Sequence, residues 1–122
     1  MQTVKPEWAP LQAQFTSLTL DTRILQIASE LQALQNEVEV GYTVTPSDAQ
    51  DSCNSILRKI ERYVEWTVPE LLPSRAEDAE ILVNVARFAA RLLIQEKAWN
   101  NSRVVIEVEQ WIEQLQILLN HV

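Results

Sequence analysis

The chain has 122 residues, enough for one hydrophobic core and too few for two. Seventeen acidic against ten basic residues give a net charge of −7, which argues against a general nucleic-acid or anionic-membrane binder, because counterion release needs clustered Lys and Arg. A single glycine, Gly41, excludes folds built on tight turns or glycine-rich phosphate loops and leaves long helices with short connections.

In chain order, the N-terminal segment carries Pro6, Trp8, Leu11 and Phe15, a pattern that suits a short amphipathic helix or an arm within residues 1–18. Next, Leu20, Ile24, Ile27, Leu31, Leu34 and Val38 follow at spacings of four and three, which predicts a helix over about 20–39 with one apolar stripe. Gly41 stands where a helix C-terminus favours a left-handed residue. Residues 38–45 also alternate like a strand, and we expect an extended link after the helix.

Thr45-Pro46-Ser47-Asp48 offers a capping hydroxyl, a proline for the first turn and a carboxylate, opening a helix over about 46–67. Its stripe is Ala49, Cys53, Ile56, Ile60 and Tyr63, widened by Leu57 and Val64. Pro69 disfavours helical geometry at Val68, so the helix is expected to stop there and Pro69–Pro73 to form a stiff corner.

Ser74-Arg75-Ala76-Glu77 reads as a capping box for a helix over about 75–98. Its polar residues Glu80, Asn84, Arg87, Arg91 and Gln95 occupy one narrow face. Apolar side chains cover roughly two-thirds of the circumference. Such a helix is either central or packed against another subunit as well as its own chain. After Trp99-Asn100-Asn101-Ser102, a last helix over about 103–121 buries Val104, Val108, Trp111, Leu115, Leu118 and Val122, with Val105, Ile112 and Leu119 beside them. The expected architecture is all-α, a four-helix-bundle-like single domain.

The chemistry inventory is short. Cys53 is the only cysteine, so no intrachain disulfide or paired-cysteine metal site can form, and its place on an apolar stripe reads as core. His121 is the only histidine and lies next to the last residue. Glu30 with Glu37, and Glu109 with Glu113, share helical faces but read as solvated surface. No nucleotide, zinc-protease or nucleophile-elbow motif occurs, so no catalytic, cofactor or metal residue is assigned and the chain reads as a non-enzyme. The N-terminus has no apolar signal core, and the apolar run 81–94 is broken by Asn84, Arg87 and Arg91, so a soluble, cytoplasmically made protein is expected.

Protein contacts are the remaining function class. Arg87 and Arg91, like charges four apart, repel by about a few tenths of a kcal/mol unless Glu80, an acid of the last helix or a partner subunit compensates. Trp66 lies beside its helix stripe, and Trp99 stands at a helix end. With Trp8 and Phe15, these residues form the candidate protein interface.

The order Ile60…Tyr63-Val64, Trp66, Pro69, Pro73, then Val85-Ala86-Arg87-Phe88, Leu92 and Trp111-Ile112 resembles the small all-helical head–tail connector (head-completion, adaptor) proteins of tailed bacteriophages, over roughly residues 50–115. The resemblance implies a non-enzymatic virion subunit that forms a homo-oligomeric ring beside a neighbouring assembly protein. The net charge and the interrupted apolar run leave neither a membrane nor a sequence-specific nucleic acid as an expected partner. The alternative is a free-standing acidic helical adaptor or regulator that binds a basic partner.

Overall fold

The computed structural model describes residues 8–41, 46–94 and 102–119, with side chains placed at 8–39, 51–94 and 104–119. Among these, all regular structure is helical: α1 (Ala9–Thr16), α2 (Leu20–Gly41), α3 (Pro46–Leu71), α4 (Ala76–Ile94) and α5 (Ser102–Leu119). The expected all-α bundle with a short N-terminal helix is therefore the observed fold. Residues 1–7, 42–45, 95–101 and 120–122 lie outside the described residues, and with them Trp99, His121, Val122, and the expected continuation of the third long helix to 98.

Local chemistry sets the boundaries. At the end of α1 the Thr16 hydroxyl donates to the Gln12 carbonyl at 2.8 Å, and the Ser17 hydroxyl to that of Gln14 at 2.6 Å. Thr19 then caps α2, its Oγ1 accepting the Thr22 N–H at 3.3 Å while its carbonyl accepts the Arg23 N–H at 2.9 Å. At the far end, α2 runs two residues past the expected stop at 39, through Gly41. No glycine among the described residues takes a positive φ.

Two boundaries differ from the sequence expectation. The second long helix does not stop near Thr67 but continues through Pro69 to Leu71. Proline removes one backbone bond, to the Glu65 carbonyl, but Glu65 and Pro69 are both exposed, so the loss falls on the solvent side of the helix, where it costs least. Fully buried Leu71 and the buried Thr67, whose hydroxyl donates to the Tyr63 carbonyl at 2.7 Å, hold the last turn on the core. The turn therefore begins at Leu72, and the Leu71 carbonyl receives the N–H groups of both Ser74 (3.2 Å) and Arg75 (2.6 Å). The expected capping box at Ser74 and Glu77 does not form either. Arg75 takes the cap position, its carbonyl accepting the Ala79 N–H at 3.0 Å and its Nε donating to Asp78 Oδ2 at 2.7 Å. The same guanidinium stands 3.6 Å from Asp21 in the first turn of α2, so the starts of α2 and α4 are tied together.

The core forms where the stripes meet. α2 contributes Ile24, Ile27, Leu31, Leu34 and Val38. From α3 come Cys53, Leu57, Ile60, Tyr63, Val64, Trp66 and Leu71, and from α5 Val104, Val108, Leu115 and Leu118. α2 packs against α3 on one side and α5 on the other, while α4 packs against α3 and touches α5 lightly. The middle of the bundle is thus the α2–α3 pair, and α4 is peripheral rather than central. It buries Ala79, Leu82, Val85, Phe88, Ala89 and Leu92, but leaves Val83, Ala86 and Ala90 only partly covered. Those three residues form the α4 side of a surface groove against α3.

Candidate interaction site

Of the six candidate interface residues, three come together on α1 and α3. Phe15 and Trp66 are buried, 3% and 8% exposed, and Trp8 is half-buried. Phe15 stacks on Tyr63 with ring centroids 4.1 Å apart, Trp66 tilts against both at about 6 Å, and Trp8 meets Trp66 edge-on at 6.4 Å. The chain's own α1 therefore covers the off-stripe tryptophan, and little of Phe15 or Trp66 is left for a partner. Trp8 remains at the edge, its ring 5.8 Å from the Arg62 guanidinium.

Arg62 leads from this cluster into a surface groove of about 550 Å³ between α3 and α4. Val64, Val68 and Pro69 from α3, with Val83, Ala86 and Ala90 from α4, form its apolar lining; Glu61, Arg62, Glu65 and Arg87 form the charged rim. The alanines keep the α4 wall low, which is why the groove stays open between two packed helices. Burial pushes the Glu61 carboxyl up from its ordinary value, against the lowering effect of Arg62 and Arg58, with Glu65 adding to the rise.

The two arginines of α4 have separate roles. Arg91 donates to the Glu107 carboxylate of α5 at 2.5 Å and lies 5.5 Å over the Phe88 ring. Phe88 in turn contacts Trp111 of α5 at 6.4 Å, so this cluster closes the thin α4–α5 seam. Arg87 is exposed on the groove rim and makes no ion pair or hydrogen bond among the described residues. Arg62, by contrast, is engaged by Glu65 at 2.8 Å. Because the Arg91 pair is largely solvent-exposed, Arg91→Glu is expected to lower the unfolding free energy by only about 1 kcal/mol, read from urea denaturation. A loss several times larger would place Arg91 among the main supports of the bundle.

The remaining reactive groups are structural. Cys53 is buried, and desolvation, helped by the negative charge of Glu37, raises its thiol from the ordinary 9.0 to about 11. The folded state then holds the proton more tightly than the unfolded one, so this contribution is complete below pH 9. Stability is expected to fall as pH rises from about 9 to 11, by at most roughly 1.4 kcal/mol per unit. Cys53→Ala should flatten that slope; an identical slope in the variant would remove Cys53 as its source. Glu30, one of the paired carboxylates, lies 3.7 Å from Lys59 of α3. No three His, Cys, Asp or Glu side chains among the described residues are grouped to hold a metal ion, and none of the described helices is long and apolar enough to cross a membrane.

No protein-family model, curated protein or solved structure matches this chain. The groove itself has a partial sequence signal. Val83, Ala86, Arg87 and Ala90 recur at three- and four-residue spacings, so a small-residue lane bordered by one arginine can be read from α4 alone. Its α3 wall, Glu61 to Pro69, cannot, because nothing local says which helix α4 will lie against.

Proposed function

We propose that the chain is a non-enzymatic assembly subunit that works through protein–protein contacts, of the phage head–tail connector kind that residues 50–115 resemble. The observation that carries the reading is the α3–α4 groove, with an apolar lining under Arg87, which makes no ion pair or hydrogen bond among the described residues. An isolated exposed cation gains nothing from standing over apolar surface, whereas a partner that fills the groove and supplies a carboxylate satisfies both features at once. The wide apolar circumference of α4 fits the same reading, since its own bundle leaves Val83, Ala86 and Ala90 half-covered.

A homo-oligomer is the expected form in solution, and a ring the form that suits a connector. Light scattering on the eluting peak, with electron micrographs of the same fraction, tests this: a multiple of the chain mass is expected. A compact monomer at every concentration, without rings, would overturn the proposal and favour the free-standing acidic adaptor.

A further inference from the structure

We infer that the occupant of the α3–α4 groove is the outward face of α5 from a second copy of this chain, docked head to tail. The inference rests on the assembly reading above and names the partner surface. Ile106 and Ile117 are the most exposed apolar side chains of α5, at 56% and 52%. At 100° per residue, Ile106 falls between Glu113 and Ile117, and all three lie within an arc of roughly 40°. Gln110 and Glu109 flank that arc, and both are exposed.

Charge decides the match. The α5 sequence holds three glutamates, Glu107, Glu109 and Glu113, against one basic residue, Arg103 at its start. Glu107 is taken by Arg91 within the chain, but Glu109 and Glu113 make no ion pair among the described residues. The groove rim offers Arg87, which has no ion pair among the described residues, beside Glu61 and the Arg62–Glu65 pair. Dimensions agree as well: Ile106 to Ile117 spans about 16 Å of helix, and the groove wall from Glu61 to Pro69 about 12 Å. Ala86 and Ala90 let a third helix approach closely, with the isoleucines on the valine floor and Glu113 beside Arg87.

The two surfaces cannot satisfy each other within one molecule. α5 packs mainly on α2, with its isoleucines turned outward, whereas the groove is formed by α3 and α4. One copy therefore gives α5 and receives the next copy's, an arrangement that closes into a ring or runs on as a filament.

Two variants test it: Arg87→Glu, which spoils the groove, and Ile106→Asp with Ile117→Asp, which spoils the α5 face. Each alone, with wild-type helicity by circular dichroism, should self-associate at least about tenfold more weakly than wild type. Mixed, they retain one intact groove and one intact α5 face, and should form a 1:1 dimer that grows no further. If the aspartates unfold the chain, Glu113→Arg replaces them, and pairing it with Arg87→Glu in one chain should restore association. Wild-type multimers alongside unaffected variants, or alongside a mixture that stays monomeric, would overturn this interface and leave the assembly reading standing. A monomeric wild type would overturn both.

Discussion

Replacing Arg23 with methionine is expected to lower the unfolding free energy by roughly 2–4 kcal/mol, although no sequence pattern marks this residue as structural. Its side chain is 5% exposed. Nε donates to the Leu18 carbonyl at 3.1 Å and Nη2 to that of Thr16 at 2.6 Å; Nη1 donates to the Glu70 carboxylate. Thr16 ends α1 and Leu18 follows in its link, so the guanidinium satisfies carbonyls that a helix C-terminus leaves orphaned, and places positive charge where the helix dipole favours it. Through Glu70 it also anchors the last turn of α3, beyond the proline. Methionine keeps the apolar stem but abandons two partly buried oxygens. Lysine should rescue poorly, because a single ammonium cannot reproduce a three-way fork. Glu70→Gln should cost about 1 kcal/mol or less, since that carboxylate is half in water. Urea midpoints for the four proteins give the comparison, and an Arg23→Met variant within 0.5 kcal/mol of wild type, about the size of an unremarkable surface change, would contradict the assignment.

Trp66→Ala is expected to have the larger effect, a loss of about 3–5 kcal/mol. The indole sits among Trp8, Phe15 and Tyr63, and its removal opens a cavity between α1 and α3 that rigid rings cannot refill. Phe15→Ala removes the other half of the contact and should release α1, seen as faster proteolysis at Thr16–Leu18. Trp8→Ala, at the edge, should cost about 1 kcal/mol. The ordering Trp66, then Phe15, then Trp8 is the useful quantity. Trp66→Ala costing no more than Trp8→Ala would mean that the cluster is surface rather than core.

Trp66 also shows where sequence reasoning stops. On the helical wheel it lies beside the α3 stripe, and a tryptophan there reads as an interface residue. The structure covers it with α1, some fifty residues earlier in the chain, a long-range pairing that leaves no trace in local periodicity. The stripe of α2 was legible because Ile24, Ile27, Leu31, Leu34 and Val38 need only one partner surface, whichever helix supplies it. Local preference ends the helix before Pro69, and the packing of buried Leu71 together with the exposed position of Glu65 and Pro69 overrides it. Arg23 is invisible for a similar reason: it flanks the apolar stripe like any solvated arginine, and its three acceptors lie at the end of α1, in the link that follows it and in α3. For the candidate site, Arg87 and Arg91 stood out as a like-charged pair. Which of them is taken by Glu107 depended on how α4 and α5 lie together, and that determines which arginine remains for a partner.

Hydrogen exchange followed across a dilution series tests the groove as a docking surface most directly. Two copies that meet through the α3–α4 groove and the α5 face should show concentration-dependent slowing in residues 61–69, 83–90 and 106–117, while α2, which lines neither surface, exchanges alike throughout. Equal exchange of those three segments at every concentration, or protection gathered elsewhere on the molecule, would contradict the account.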